Sequence, residues 1–207
     1  MLNETTLRAR RTALWALACL PWAGHVQSQS QSPAAGMKVE GQSFDGVARV
    51  AGTELLLNGT GLRAVAWFKA FVVGLYLARP ARSAQEATSL PGPKRLQLRM
   101  LRELPAVEFN KAVHKGVARN VTVGQLQALQ QRLDQFGAQV DALGKLRAGD
   151  VVDLDHEPGQ GTAMRLNGTL RGPMIVGDDF FVALLLSFLG EHPYDMKLKA
   201  GLLGLTR

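Results

Sequence analysis

At 207 residues, with 46% hydrophobic residues and a formal charge of +7, the chain is long enough for one ordinary domain with a real core. Its single cysteine, Cys19, excludes a disulfide framework. Its basic residues (Lys94, Arg95, Arg99, Arg102, then Lys111, Lys115, Arg119) are scattered without interleaved aromatics, which argues against a nucleic-acid platform and for solvated faces.

The first segment has the pattern of a secretory signal peptide. Arg8, Arg10 and Arg11 precede an apolar run from Ala13 to Ala23, and a Gln/Ser tract follows. The run is too short for a bilayer core of about 30 Å, which takes roughly 20 apolar residues, so no stable membrane span is expected after cleavage. Residues 1–28 are expected to be this leader, with residues 29–36 a disordered Gln/Ser/Pro/Ala linker and residues 37–207 the folded domain. Cleavage removes Cys19 and with it any thiol nucleophile or cysteine metal site, and it places the protein in the periplasm or outside the cell. The domain must then be held by packing alone.

From Val39 to Leu57, short β-prone pieces (Val47 to Val50, Glu54 to Leu57) alternate with Gly41, Gly46 and Gly52 in a hairpin-like rhythm. Gly59 and Gly61 are expected to turn the chain into one long central strand running to Leu77. That stretch is apolar at period two on both faces, as in a strand covered from both sides. Pro80 and the following Ala81 to Ser89 predict a short helix or loop, and Pro91-Gly92-Pro93 a stop. In Lys94 to Glu103, Leu96, Leu98 and Met100 alternate with Arg95, Gln97 and Arg99, the pattern of a half-buried strand.

After Pro105, the spacing of Phe109, Ala112, Val113, Gly116 and Val117 predicts a helix. Leu126, Leu129, Leu133 and Phe136 form the stripe of a second one, ended or interrupted by Gly137 or Gly144. Asp150 to His156 returns to strand character, Pro158 to Gly161 is a turn, and Asn167-Gly168 suits a two-residue hairpin. Asp178 or Asp179 is placed to cap a helix from Phe180 to Leu189 that is apolar nearly all round and therefore buried. Asp195 is placed to cap a last helix ending before Gly204. Strands, helices, strands and helices in that order predict an α+β domain with helices on one face of a mostly antiparallel sheet.

Arg63 is the residue to explain. A lone arginine in an apolar strand must either pair with an internal carboxylate, for which Glu54, Glu103 and Asp153 are candidates, or meet an anionic ligand. Lys69 can snorkel from the strand end. His25, His114, His156 and His192 share no ligand spacing, so no metal or cofactor is expected. His156, among Asp153, Asp155 and Glu157, reads as a solvated strand end. No serine nucleophile elbow, phosphate loop or dinucleotide fingerprint occurs.

Gly61-Leu-Arg63, Phe68-Lys69, Gly74-Leu-Tyr76-Leu77, Met100-Leu101-Arg102, Phe109-Asn110-Lys111, Pro158-Gly-Gln-Gly-Thr162, Asn167-Gly168 and Gly177-Asp-Asp-Phe-Phe181 to Leu189-Gly190, taken in order, resemble the bacterial chalcone isomerase-like proteins. The resemblance implies an open-faced β-sandwich, a large antiparallel sheet covered on one face by helices, with a ligand cleft between. It places Arg63 at the position of the isomerases' anchoring arginine. Their threonine falls on Phe71, their tyrosine on Phe109, their asparagine on Gly116 and a second threonine on Phe180. With three hydroxyls replaced by phenyl rings, it implies a non-catalytic protein that binds a small hydrophobic carboxylate, such as a fatty acid, beside Arg63. The alternatives are an isomerase or related lyase, and a structural or interaction protein in which Arg63 pairs internally.

Overall fold

The computed structural model describes residues 35–65 and 68–206. The leader expected over residues 1–28 lies outside the described residues, as does all of the linker but Ala35 and Gly36. The elements run β1 (Met37–Val39), β2 (Gln42–Phe44), β3 (Val47–Val50), β4 (Thr53–Val65), β5 (Phe68–Leu77), α1 (Ala84–Ser89), β6 (Lys94–Met100), β7 (Leu104–Pro105) and α2 (Ala106–Ala118). They continue α3 (Val123–Asp141), β8 (Lys145–Leu146), β9 (Val151–Glu157), β10 (Gly161–Leu166), β11 (Thr169–Leu170), α4 (Asp178–Leu189) and α5 (Met196–Leu202). Seven strands form one antiparallel sheet in the order β11-β10-β9-β6-β5-β4-β3. This is the α+β architecture expected. Among the described residues no helix is long and apolar enough to cross a membrane.

The single strand expected to run from the Gly59/Gly61 turn to Leu77 is two strands. β4 and β5 pair antiparallel, with Leu56 opposite Leu77, Arg63 opposite Phe71 and Val65 opposite Phe68. Ala66-Trp67 carries no Gly, Pro, Asn or Asp, so no turn chemistry interrupts the alternation that both strands share. Gly59 and Gly61 make no turn either, because both lie within β4. A Cβ on Gly59 would overlap the carbonyls of Gly201 and Leu202, and one on Gly61 would meet Leu198 Cδ1 at 2.5 Å. The glycines are there because α5 lies directly on β4.

One face of the sheet carries Phe71, Val73, Leu75, Leu96, Leu98, Met100, Val152 and Leu154 into a core shared with Phe109, Val113, Leu133, Phe136, Phe180, Phe181 and Leu185 of α2, α3 and α4. Because side chains alternate along a strand, the other face carries Val72, Tyr76, Arg95, Gln97 and Arg99. There Phe44, Val50, Leu55, Val72 and Tyr76 make a second, small cluster. Asp155 takes Arg95 Nε and Nη2 at 2.5 and 2.7 Å, and Asp153 takes Gln97 Nε2 at 2.8 Å.

The helix boundaries follow from their caps. Thr122 and Gln125 form a reciprocal capping box at the start of α3, and the Asp195 side chain accepts from the N–H groups of Lys197 and Leu198. The expected aspartate cap of α4 is not used. Gly177 is the N-cap, and Asp178 and Asp179 sit in the first turn, where the helix dipole favours them. Asp179 pairs with Arg132, and Asp178 accepts from the N–H of Gly159 at 3.1 Å. Gly137 does not end α3. It lies inside the helix and leaves room for Asn110, whose Nδ2 would be 2.7 Å from a Cβ there. Asn167 and Gly168 both have positive φ, 51° and 79°, as a type I′ turn between β10 and β11 requires.

His156 is also not a solvated strand end. It is 6% exposed and stacks on Phe181 with ring centroids 5.2 Å apart. Burial, followed by the nearby Lys94 charge, holds its pKa below the ordinary value of 6.5.

Candidate functional site

Arg63 is half-buried on β4, directly opposite Phe71 on β5, where the pairing register is irregular. Its Nη1 donates to two backbone carbonyls, Ala64 at 3.0 Å and Tyr194 at 3.2 Å, and its Cζ lies 5.3 Å from the centre of the Tyr194 ring. None of the three carboxylates that could have neutralised it does so. Glu54 faces Arg49 at 3.7 Å, Glu103 faces Lys145 at 2.9 Å, and Asp153 is held by Gln97 and by Arg95 at 3.7 Å. Among the described residues Arg63 has no ion pair. Lys69 pairs with Glu40 at 2.8 Å.

Arg63 opens onto a cavity of about 110 Å³ bounded by Ala112, Lys115, Gly116, Arg119, His192 and Tyr194. Three of these side chains are basic and none is acidic. Tyr194, which the sequence reading did not single out, forms the inner wall. Its hydroxyl donates to the Ala112 carbonyl at 2.9 Å and its ring meets Phe188 edge-on at 5.0 Å. Burial pushes the phenol up to about 12 against the opposing effects of Ser187 and the Arg63 charge. At neutral pH it is therefore a hydrogen-bond donor and not a base.

Gly116, in the middle of α2, makes room for that ring, because a Cβ there would overlap the Tyr194 hydroxyl. This glycine was the available signal for Tyr194. A glycine inside a helix costs about 1 kcal/mol against alanine, so something must occupy the space it leaves.

Phe71 and Phe109 meet edge to face at 6.3 Å, both buried, and fill the space between β5 and α2 behind Arg63. Phe180 packs elsewhere, on Phe136 of α3 at 5.7 Å, and does not line the Arg63 cavity. Of the five positions named from the sequence, Arg63 and Gly116 share the cavity, Phe71 and Phe109 back it, and Phe180 belongs to the core. A cation with unused donors, a half-buried phenol and an apolar backing can hold an anion attached to an apolar group.

The structure is similar to that of a fatty-acid binding protein of Arabidopsis thaliana. The TM-score is 0.64 and the identity 16%, over 81% of this chain and 95% of that one, a likeness that speaks for the fold alone. No curated protein matches the chain. Residues 36–204, which span the sheet, the helical layer and the Arg63 cavity, match the model of the chalcone isomerase-like family, to which this chain belongs.

Proposed function

We propose that this is an exported bacterial binding protein that holds a small hydrophobic carboxylate, such as a fatty acid, at Arg63, and that it does not turn the ligand over. The observation that carries the reading is the half-buried guanidinium without an acidic partner among the described residues, facing a cavity lined by further basic groups. An uncompensated buried charge is costly, and a charge-assisted hydrogen bond to a carboxylate returns about 1.5–3 kcal/mol. The structural relative's fatty-acid binding supports the reading by analogy. The basic leader pattern of residues 1–28 supports export, and the end residue of the purified mature protein tests it: a chain that still begins at Met1 in the cell envelope fraction counts against cleavage.

Native mass spectrometry of the protein as purified, and again after titration with laurate, tests the ligand. One bound acid is expected on the wild type and none on Arg63→Ala. Equal occupancy of the two proteins overturns the role of Arg63. A second reading, catalysis of the chalcone-closing type, is favoured by one observation, the phenol of Tyr194, a residue whose ring lies beside Arg63 and which lines the same cavity. Against it, the three positions that carry hydroxyls in the isomerases are Phe71, Phe109 and Phe180. Closure of naringenin chalcone at the uncatalysed rate is the expected result, and any acceleration abolished by Arg63→Ala would establish the enzyme.

A further inference from the structure

The Arg63 cavity, at about 110 Å³, holds a head group and little more, while the interior behind it is already occupied by Phe71 and Phe109. Beside it lies a larger groove of about 560 Å³ between α1, the α2–α3 turn and the end of α4, and Arg119 and His192 line both. That volume is within the roughly 300–1,000 Å³ of ordinary small-molecule sites. Apolar groups of the groove come from Ala84, Val121 and Leu186, all part-exposed, and Gln85 and Gln125 stand exposed at its rim.

The wall between the two depressions is held by one side chain. Asn120 Nδ2 donates to the carbonyls of Gly116 and His192 at 2.9 Å each, and its Oδ1 accepts from the N–H of His192 at 2.9 Å. This clasp ties the end of α2 to the segment between α4 and α5 and sets Arg119 and His192 at the junction. Arg63, Lys115 and Arg119 have no ion pair among the described residues. Among the described residues lining the two depressions the sole acidic side chain is Glu191, on the groove side. Positive charge without acid partners is thus concentrated at the Arg63 end, while in the groove Lys199 donates its Nζ to the Gly190 carbonyl at 2.8 Å and the apolar side chains lie beside it.

We infer that the ligand is a single-chain amphiphilic anion. Its head group lies on Arg63, Lys115 and Arg119, and its chain lies in the surface groove over Ala84, Val121 and Leu186 instead of between sheet and helices. The inference rests on the anion reading of Arg63 and adds to it the route of the apolar chain. Carboxylate and phosphate heads share the required chemistry.

Calorimetric titration of the purified protein with laurate, dodecyl phosphate and butyrate tests the inference, using the wild type, Arg63→Ala, and the double variant Gln85→Trp/Gln125→Trp, which fills the groove from two exposed positions. Laurate is expected to bind the wild type at least about tenfold more tightly than butyrate does. The double tryptophan variant is expected to lose that advantage while binding butyrate unchanged, which also shows that it is folded. Arg63→Ala is expected to weaken both acids. Dodecyl phosphate binding more tightly than laurate would assign a phosphate head, and the reverse a carboxylate. Wild-type affinity for laurate in the tryptophan variant, with loss in Arg63→Ala, overturns the groove and leaves the Arg63 reading standing. No binding of any of the three to the wild type overturns both.

Discussion

Tyr194 and Gly116 make one structural unit out of residues on different elements. The phenol occupies the space that a side chain at Gly116 would fill, and its hydroxyl is satisfied by the Ala112 carbonyl one helical turn earlier. Gly116→Ala gains about 1 kcal/mol of helix propensity but forces a steric conflict worth about 1–3 kcal/mol, so a net loss of stability is expected in urea unfolding. In a Tyr194→Ala background the obstacle is gone, and the same Gly116→Ala change is expected to stabilise. A loss of equal size in both backgrounds would show that the ring is not what the glycine accommodates.

His156 makes a different residue-scale prediction. Its Nδ1 is buried without a hydrogen-bond partner, 4.0 Å from Asp178 Oδ1. Its folded pKa is lowered by burial first and by Lys94 next, so the unfolded chain takes up the proton more readily. The neutral histidine therefore contributes stability above about pH 6.5 that is lost as pH falls through that value toward the lower folded pKa. Thermal unfolding between pH 7.5 and 5 is expected to show a smaller fall for His156→Gln than for the wild type. Parallel curves would mean that His156 does not titrate differently on folding.

Between elements, α5 approaches β4 backbone to backbone. Gly59 and Gly61 on the strand and Gly201 on the helix bring backbone against backbone, with Gly201 against the Thr60 carbonyl. Asn58 Nδ2 adds a bond to the Leu202 carbonyl at 2.7 Å. Gly59→Ala would meet carbonyl oxygens, which cannot rotate away as a side chain can, so a loss of about 3 kcal/mol or more is expected in chemical unfolding, at the upper end of overpacking costs. Wild-type stability would mean that α5 can lift from the strand. The α4–α5 connection carries Tyr194, so the seating of α5 also bears on the ring that walls the Arg63 cavity.

At the scale of the whole molecule, the sheet has two unlike faces. One packs apolar side chains on three helices, while the other holds Arg95 between Asp155 and Asp153, with Arg165 3.5 Å from Asp155. Burial raises the Asp153 pKa although Arg95 opposes it. Asp155→Ala leaves the largely buried Arg95 without its bidentate partner, and a loss of about 3–5 kcal/mol is expected. Replacing Arg95 and Asp155 together by Met and Leu is expected to cost less than Asp155→Ala alone. If the double replacement costs the sum of both single changes, the network contributes more than paired charges do.

Local chemistry in the sequence was enough for the α+β class, the placing of most elements and the isolation of Arg63. Alternation in Lys94 to Glu103, the Leu126 to Phe136 stripe, Asn167-Gly168 and Asp195 each act over a few residues and read the same in the folded chain. The β4–β5 hairpin was hidden because two paired strands share one alternation and Ala66-Trp67 carries no turn signal. Which group stands beside Arg63 was decided by the tertiary structure alone. Tyr194 lies 131 residues away, and the three candidate carboxylates are claimed by other cations through strand register and helix docking. An arginine in an apolar strand announces a demand for negative charge or acceptors by its own desolvation. Two carbonyls, a phenol ring and an anion-sized cavity answer it here because β4, α2 and the α4–α5 segment converge only once the sheet and its helical layer have packed.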